Sequence, residues 1–279
     1  MNLYTINTGH FKLDGGAMFG VVPKSIWHKL NPADDNNMCS WALRCLLIED
    51  GKKLTLIDNG MGNKQDQKFF SHYFLHGDDT LEKSLNRYGF TAKDITDMVL
   101  THLHFDHCGG SIQYNADHSK LEPAFKNATY HIHQKQWDWA LNPNPREKAS
   151  FLKENIVPIQ ESGQLKMLDN SKHFTNSMSF KEVYGHTEAM VLPFIEYKDR
   201  KILYMADLLP SAAHVPLPYV MAYDVRPLET MKEKTKILQE AADNNWILYL
   251  EHDPLVECIT VENTEKGIRV KEKFKLSEL

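Results

Sequence analysis

The segment Thr101-His102-Leu103-His104-Phe105-Asp106-His107 constrains this chain more than any other stretch of it. Three imidazoles and a carboxylate within six residues repel one another when protonated, and they gain little from proximity unless a cation fixes them. His102 and His104 are two residues apart, so in an extended segment both rings project to one side, while Asp106 and His107 can turn back toward a second position. Two adjacent metal ions can be served by such a spacing. Imidazole and carboxylate suit Zn, Fe, Mn or Co, and a set without thiolate leaves coordination positions open to water more readily than a closed structural site.

The frame around this segment reads as a single globular domain. A length of 279 residues can bury a sizeable core, and 42% hydrophobic with 25% charged residues is an ordinary globular balance. A net charge of -5 is the wrong sign for a chain that coats itself in phosphate backbone, so nucleic acid is not an expected partner. Four cysteines without CxxC spacing suggest neither a disulfide scaffold nor a thiolate zinc site, and they fit a reducing cytoplasm. No basic region followed by an apolar run opens the chain, and no stretch approaches the apolar length that spans a bilayer. Export and a membrane partner are therefore not expected.

Apolar, β-prone runs at 41–48 and 53–57 flank a Gly-containing turn, which predicts a hairpin. Helical spacing follows at 64–74 and 81–88, the latter with Thr80 as N-cap and Gly89 past its end. Short strands are expected at 97–100 and 129–133, with a helix over 134–140. Further on, strands are expected at 180–183, 190–195, 201–205 and 246–250, a helix over 228–244 behind Pro227, and a terminal hairpin within 258–274. Strands alternating with helices in both halves predict a layered α/β protein, with sheet packed on sheet and helices outside.

The histidine-rich segment, preceded by an apolar strand and followed by Gly109-Gly110, resembles the signature of the metallo-β-lactamase-fold superfamily. Other pieces of that pattern follow in order. Tyr184-Gly185-His186-Thr187 is similar to its Gly-His-Thr loop, Tyr204-Met205-Ala206-Asp207 to its strand-ending aspartate, and Leu250-Glu251-His252 to its final histidine. The resemblance spans about residues 40 to 255. It implies a four-layer αββα sandwich, two mixed sheets face to face with helices outside, as one domain over 1–279 with 1–38 as an N-terminal extension. It also implies two divalent ions, zinc foremost, with His102, His104 and His186 on one, Asp106, His107 and His252 on the other, and Asp207 bridging. Asp58, in Leu56-Ile57-Asp58-Asn59-Gly60, matches an early Asp-x-Gly element and would orient the ligand loop by hydrogen bonds.

Such a pair of ions implies hydrolysis by a bridging hydroxide, with Asp106 as the catalytic carboxylate that relays a proton. The organisation is most similar to the branch of acyl-homoserine-lactone lactonases and methyl-parathion-hydrolase-like enzymes. A small ester-like substrate is then expected: a lactone, a carboxylic ester or a phosphotriester. Met18, Phe19, Val21, Val22 and Trp27 would form an apolar lip over the metals. The lactonases carry a tyrosine where this chain has Pro210, so His214, Tyr219 or Tyr223 would supply the missing donor to the substrate oxygen. A homodimer is compatible with this branch. The rival readings are a glyoxalase II-like thioesterase, for which no decisive cationic cluster is visible, and an iron-dependent redox enzyme of the same fold. Against the second, His104 stands where the diiron redox branch has a glutamate.

Overall fold

The computed structural model describes residues 1–168 and 174–279. In chain order the elements are β1 (Asn2–Asp14), α1 (Gly15–Phe19), α2 (Lys24–Trp27), β2 (Met38–Asp50), β3 (Lys53–Ile57), α3 (Gln67–Ser71), α4 (Leu81–Arg87) and β4 (Asp97–Val99). Then come α5 (Phe105–Cys108), β5 (Ile112–Tyr114), β6 (Leu121–Pro123), β7 (Thr129–His133), α6 (Gln134–Leu141), α7 (Lys153–Glu161) and β8 (Leu165–Leu168). The rest of the chain forms β9 (Met178–Val183), β10 (Met190–Tyr197), β11 (Arg200–Tyr204), α8 (Pro227–Asn244), β12 (Ile247–Tyr249), β13 (Cys258–Thr264) and β14 (Gly267–Phe274). By contact density the chain divides into two compact units, Met1–Gly9 with Leu43–Ser171, and His10–Ala42 with Lys172–Leu279.

One six-stranded mixed sheet has the order β1-β2-β3-β4-β7-β8. β2 and β3 pair antiparallel as the predicted hairpin, whereas β3, β4, β7 and β8 run parallel. Parallel strands buried on both faces read as continuous apolar runs, as the consecutive buried pairs Leu56-Ile57 and Met98-Val99 show. Leu54, Leu56 and Met98 join Ile6, Leu47, Tyr130, Trp137 and Ile159 in the first unit's core. The parallel order also puts the C-terminal ends of β3 and β4 side by side, where open α/β sheets place their ligands.

The other six-stranded sheet, also mixed, has the order β14-β13-β12-β11-β10-β9, with β11 and β12 parallel and the remaining pairs antiparallel. Helix α8 has Pro227 at its start and Asn245 in the left-handed conformation at its end, and it buries Thr230, Lys234, Ile237, Leu238 and Ala241 along one stripe. Lys234 is the unexpected member of that stripe. Its ammonium donates to the carbonyls of His214 (2.6 Å), Pro216 (3.0 Å) and Tyr219 (2.9 Å), which ties down the loop after β11. Burial lowers its pKa to about 7.

One expected helix is shorter than the spacing predicts, and some elements are new. The helix expected over 64–74 is confined to α3, because Asp66 caps it at Phe69 N while Lys64 is buried and donates to the Gly109 carbonyl. β1, α1, α2, β5, β6, α7 and β8 have no counterpart among the elements expected from the sequence. α7 contains Pro158, which ordinarily argues against a helix interior. Among the described residues no helix is long and apolar enough to cross a membrane, and all four cysteines are buried and outside any disulfide.

Candidate metal centre

In the first unit the chain leaves β4 and extends through Thr101 to His104, which precedes the single turn of α5 carrying Asp106 and His107. Gly109 and Gly110 follow because the backbone passes against the loop after β3: a Cβ on Gly109 would run into the Met61 carbonyl. His102 and His104 do project together, with Nε2 of the first 3.1 Å from Nδ1 of the second. The rings of His102 and His107 lie 3.9 Å apart, and Asp106 Oδ2 is 3.7 Å from His107 Nε2. Asp58 is fully buried beside them. It accepts from Thr101 N (2.8 Å) and Thr101 Oγ1 (2.7 Å), and its Oδ2 is 3.1 Å from His107 Nδ1.

The hydrogen-bond pattern assigns the tautomers. Because Thr101 Oγ1 spends its proton on Asp58, it accepts from His102 Nδ1 at 3.1 Å, and the lone pair of His102 is then at Nε2. His104 Nε2 faces the Glu147 carboxylate, with Oε1 3.4 Å away. A cation between His102 Nε2 and His104 Nδ1, which lie 3.1 Å apart, would be held by both rings.

The second unit repeats the logic. His186 follows β9 on a loop whose Gly185 has no room for a side chain, since a Cβ there would run into Thr230. His186 Nδ1 donates to Asp224 Oδ1 (2.8 Å) and His252 Nδ1 donates to the Ala42 carbonyl (2.8 Å). In its neutral form each ring would therefore present Nε2 as a lone pair. Asp207 receives both: Oδ2 is 3.0 Å from His186 Nε2 and Oδ1 is 3.0 Å from His252 Nε2. Asp207 and His252 follow the adjacent parallel strands β11 and β12, and Ala206, before Asp207, takes a left-handed φ of 40°, a strained conformation typical of functional turns. Burial pulls the His186 pKa down, yet Asp207 and Asp224 carry it up to about 10, which shows how strongly this position holds positive charge. The donor set fits a metal: neutral imidazole nitrogens, a carboxylate with one oxygen toward each of two rings, and a fixed oxygen behind each ring.

The residues expected around the substrate fall differently. Phe19 is buried and stacked between Trp27 (5.3 Å) and His214 (4.5 Å), with Tyr219 edge-on at 6.3 Å. Tyr223 is 39% exposed. Of the expected apolar lip, Met18, Phe19 and Trp27 are buried, whereas Val21 is 89% exposed. His214 spends both ring nitrogens within the unit, donating from Nε2 to the Met18 carbonyl (2.9 Å) and pairing through Nδ1 with Ser211 Oγ (2.7 Å). Asp224, Glu147 and the Ala42 carbonyl escaped the sequence reading, because no motif or periodicity marks them.

Burial pushes the His214 pKa down to about 3. The unfolded chain, with an ordinary histidine near 6.5, binds the proton first as pH falls, so His214 removes stability between about pH 6.5 and 3. The loss should approach about 1.4 kcal/mol per pH unit. Urea midpoints measured from pH 7 to 4 should fall more steeply in the wild type than in His214→Gln. Superimposable profiles would refute the neutral, buried assignment.

The sequence profile of the metallo-β-lactamase superfamily matches residues 44–252. The chain belongs to this superfamily, and its two mixed sheets with their helices are those of the metallo-β-lactamase fold. Among curated proteins it is similar to an N-acyl homoserine lactonase of Bacillus thuringiensis, 26% identical over 166 residues, or 56% of each chain. The match thus spans about half the length of that relative. A solved structure of a probable metal-dependent hydrolase from Staphylococcus aureus is 26% identical with a TM-score of 0.89, covering 100% of this chain and 98% of that one. A dizinc quorum-quenching lactonase solved with its product superposes with a TM-score of 0.80 at 23% identity, over 98% and 95% of the two chains, a likeness of fold.

Proposed function

We propose that this protein is a dinuclear metal-dependent hydrolase of small ester-like substrates, with lactones and carboxylic esters foremost. The observation that carries the reading is Asp207, whose two carboxylate oxygens each face the Nε2 of a different, outward-anchored imidazole at 3.0 Å. In this reading the two units form one domain. His102, His104 and His186 hold one ion, Asp106, His107 and His252 hold the other, and Asp207 bridges them. Two divalent ions held so would supply Lewis acidity toward the substrate oxygen and would acidify a water at neutral pH.

The chain's own residues do the rest. Asp106 is the most open of the seven ligands, with 13% of its side chain exposed, so its carboxylate can take a proton and deliver it to a departing alkoxide. Asp58, Thr101, Asp224 and the Ala42 carbonyl hold the rings of His107, His102, His186 and His252 in orientation. Pro210, at the lactonase tyrosine's position, accepts from His252 N at 3.2 Å and so supports the ligand's backbone instead. With His214 committed to the interior, Tyr219 and Tyr223 are the candidate phenol donors to the substrate oxygen. Four buried cysteines outside any disulfide agree with a cytoplasmic location.

Protein reconstituted at saturating metal should hold about two ions per chain and cleave lactones or aryl esters, with phosphotriesters slower and β-lactams negligible. Chelation should abolish turnover. A stoichiometry of one or none would sink the dinuclear reading, and cleavage of glutathione thioesters alone would sink the substrate class.

A further inference from the structure

Glu147 lies on the turn between α6 and α7, outside every motif in the chain, with 3% of its side chain exposed. Its Oε2 accepts two hydrogen bonds, from Trp139 Nε1 (2.7 Å) and Asn144 Nδ2 (2.6 Å), which fix the carboxylate plane. Its Oε1 faces His104 Nε2 at 3.4 Å. The same turn is clipped to the histidine segment: Ser150 N donates to the Glu147 carbonyl (2.8 Å), Phe105 N donates to the Ser150 carbonyl (3.0 Å), and Phe151 packs on the His104 ring at 4.8 Å. All of these contacts lie within the first unit.

We infer that Glu147 is a positioning residue that selects the tautomer of His104 and thereby sets the affinity for the ion at the His102–His104 position; this rests on the dinuclear reading above. A carboxylate facing Nε2 favours the proton there, which leaves Nδ1, the atom turned toward His102, as the ligand. Its charge also makes the imidazole a better donor. Among the oxygens behind the proposed ligand rings, Thr101 Oγ1 and the Ala42 carbonyl are neutral, whereas those of Asp58, Asp224 and Glu147 are carboxylate oxygens.

Glu147→Gln is the discriminating change. If its carbonyl oxygen keeps Trp139 and Asn144, its amide turns N–H toward His104 Nε2, the opposite of what Nδ1 ligation needs. Titration of apo protein with zinc against a chromophoric chelator should show one of the two ions bound about 10- to 100-fold more weakly, and the other within about threefold of wild type. A clamp that merely joins Trp139 to Asn144 would instead lower the melting temperature of apo and loaded protein equally, leaving both affinities unchanged. That result overturns the inference. Should Glu147→Gln fail to fold, Glu147→Asp, which keeps the charge but withdraws it from His104, is read by the same two outcomes. A wild type that binds fewer than two ions would break the dinuclear reading itself, a failure visible before any variant is made.

Discussion

Asp207→Asn should bind at most one ion per chain where the wild type binds about two, and should lose at least about a thousandfold in kcat/KM, or about 4 kcal/mol. The size of the effect follows from what the carboxylate does in the second unit. Each of its oxygens meets an imidazole nitrogen at 3.0 Å, and each of those imidazoles is already anchored from behind, His186 by Asp224 and His252 by the Ala42 carbonyl. Neither ring can rotate away to find another partner. An amide in the same place offers one oxygen and one N–H pair, so one ring faces a donor instead of a shared anion, and no charge remains to balance two cations. His186 also loses part of the attraction that carries its pKa to about 10 against burial. Metal analysis alongside steady-state kinetics checks the expectation, and a variant with two ions and wild-type turnover would remove Asp207 from the bridging position.

The candidate ligand segments stand out in the sequence because several of them sit just past a strand, where a short motif and its strand are read together. His102 follows β4, Asp207 follows β11 and His252 follows β12. Gly109 and Gly185 were legible as part of those motifs, and the structure supplies the reason: the backbone of Met61 and the main chain of Thr230 occupy the space a side chain would need. Apart from Asp58, the groups behind the candidate ligands were not legible. Asp224 meets His186 across 38 residues and the Ala42 carbonyl meets His252 across 210, and such pairings exist only once the chain is packed. β1 was missed for a different reason. It is an edge strand in which half-buried polar residues interrupt any alternation, and Gly9 sits within it at a φ of 121°. His214 illustrates the limit in the other direction: a histidine on a Pro-rich loop after a ligand reads as functional, yet its ring is stacked on Phe19 and hydrogen-bonded at both nitrogens.

Asp58→Ala should cost about 3 to 5 kcal/mol of folding stability even in the apo protein, and should weaken the ion held by His107 about 10- to 100-fold. Asp58 is 0% exposed and faces three donors, Thr101 N, Thr101 Oγ1 and His107 Nδ1. Alanine would leave all three without their acceptor in a site closed to bulk water, at about 1 to 3 kcal/mol each, less whatever relaxation the shared geometry allows. The backbone adds to the cost, since Asp58 has a φ of 55°, a left-handed conformation that aspartate tolerates better than alanine. The metal effect has a separate origin. Without Oδ2, His107 Nδ1 no longer has its proton fixed, and Thr101 Oγ1 is released to point its own proton at His102 Nδ1, reversing that ring's tautomer as well. Thr101→Val separates the two contributions. It removes the hydroxyl yet keeps the carboxylate on His107, so it should cost about 1 kcal/mol and leave the ion at His107 nearly untouched. Urea unfolding of apo protein measures the first quantity and chelator competition the second. An Asp58→Ala protein that keeps both its unfolding midpoint and its metals would show that the His107 ring is held by something other than Asp58.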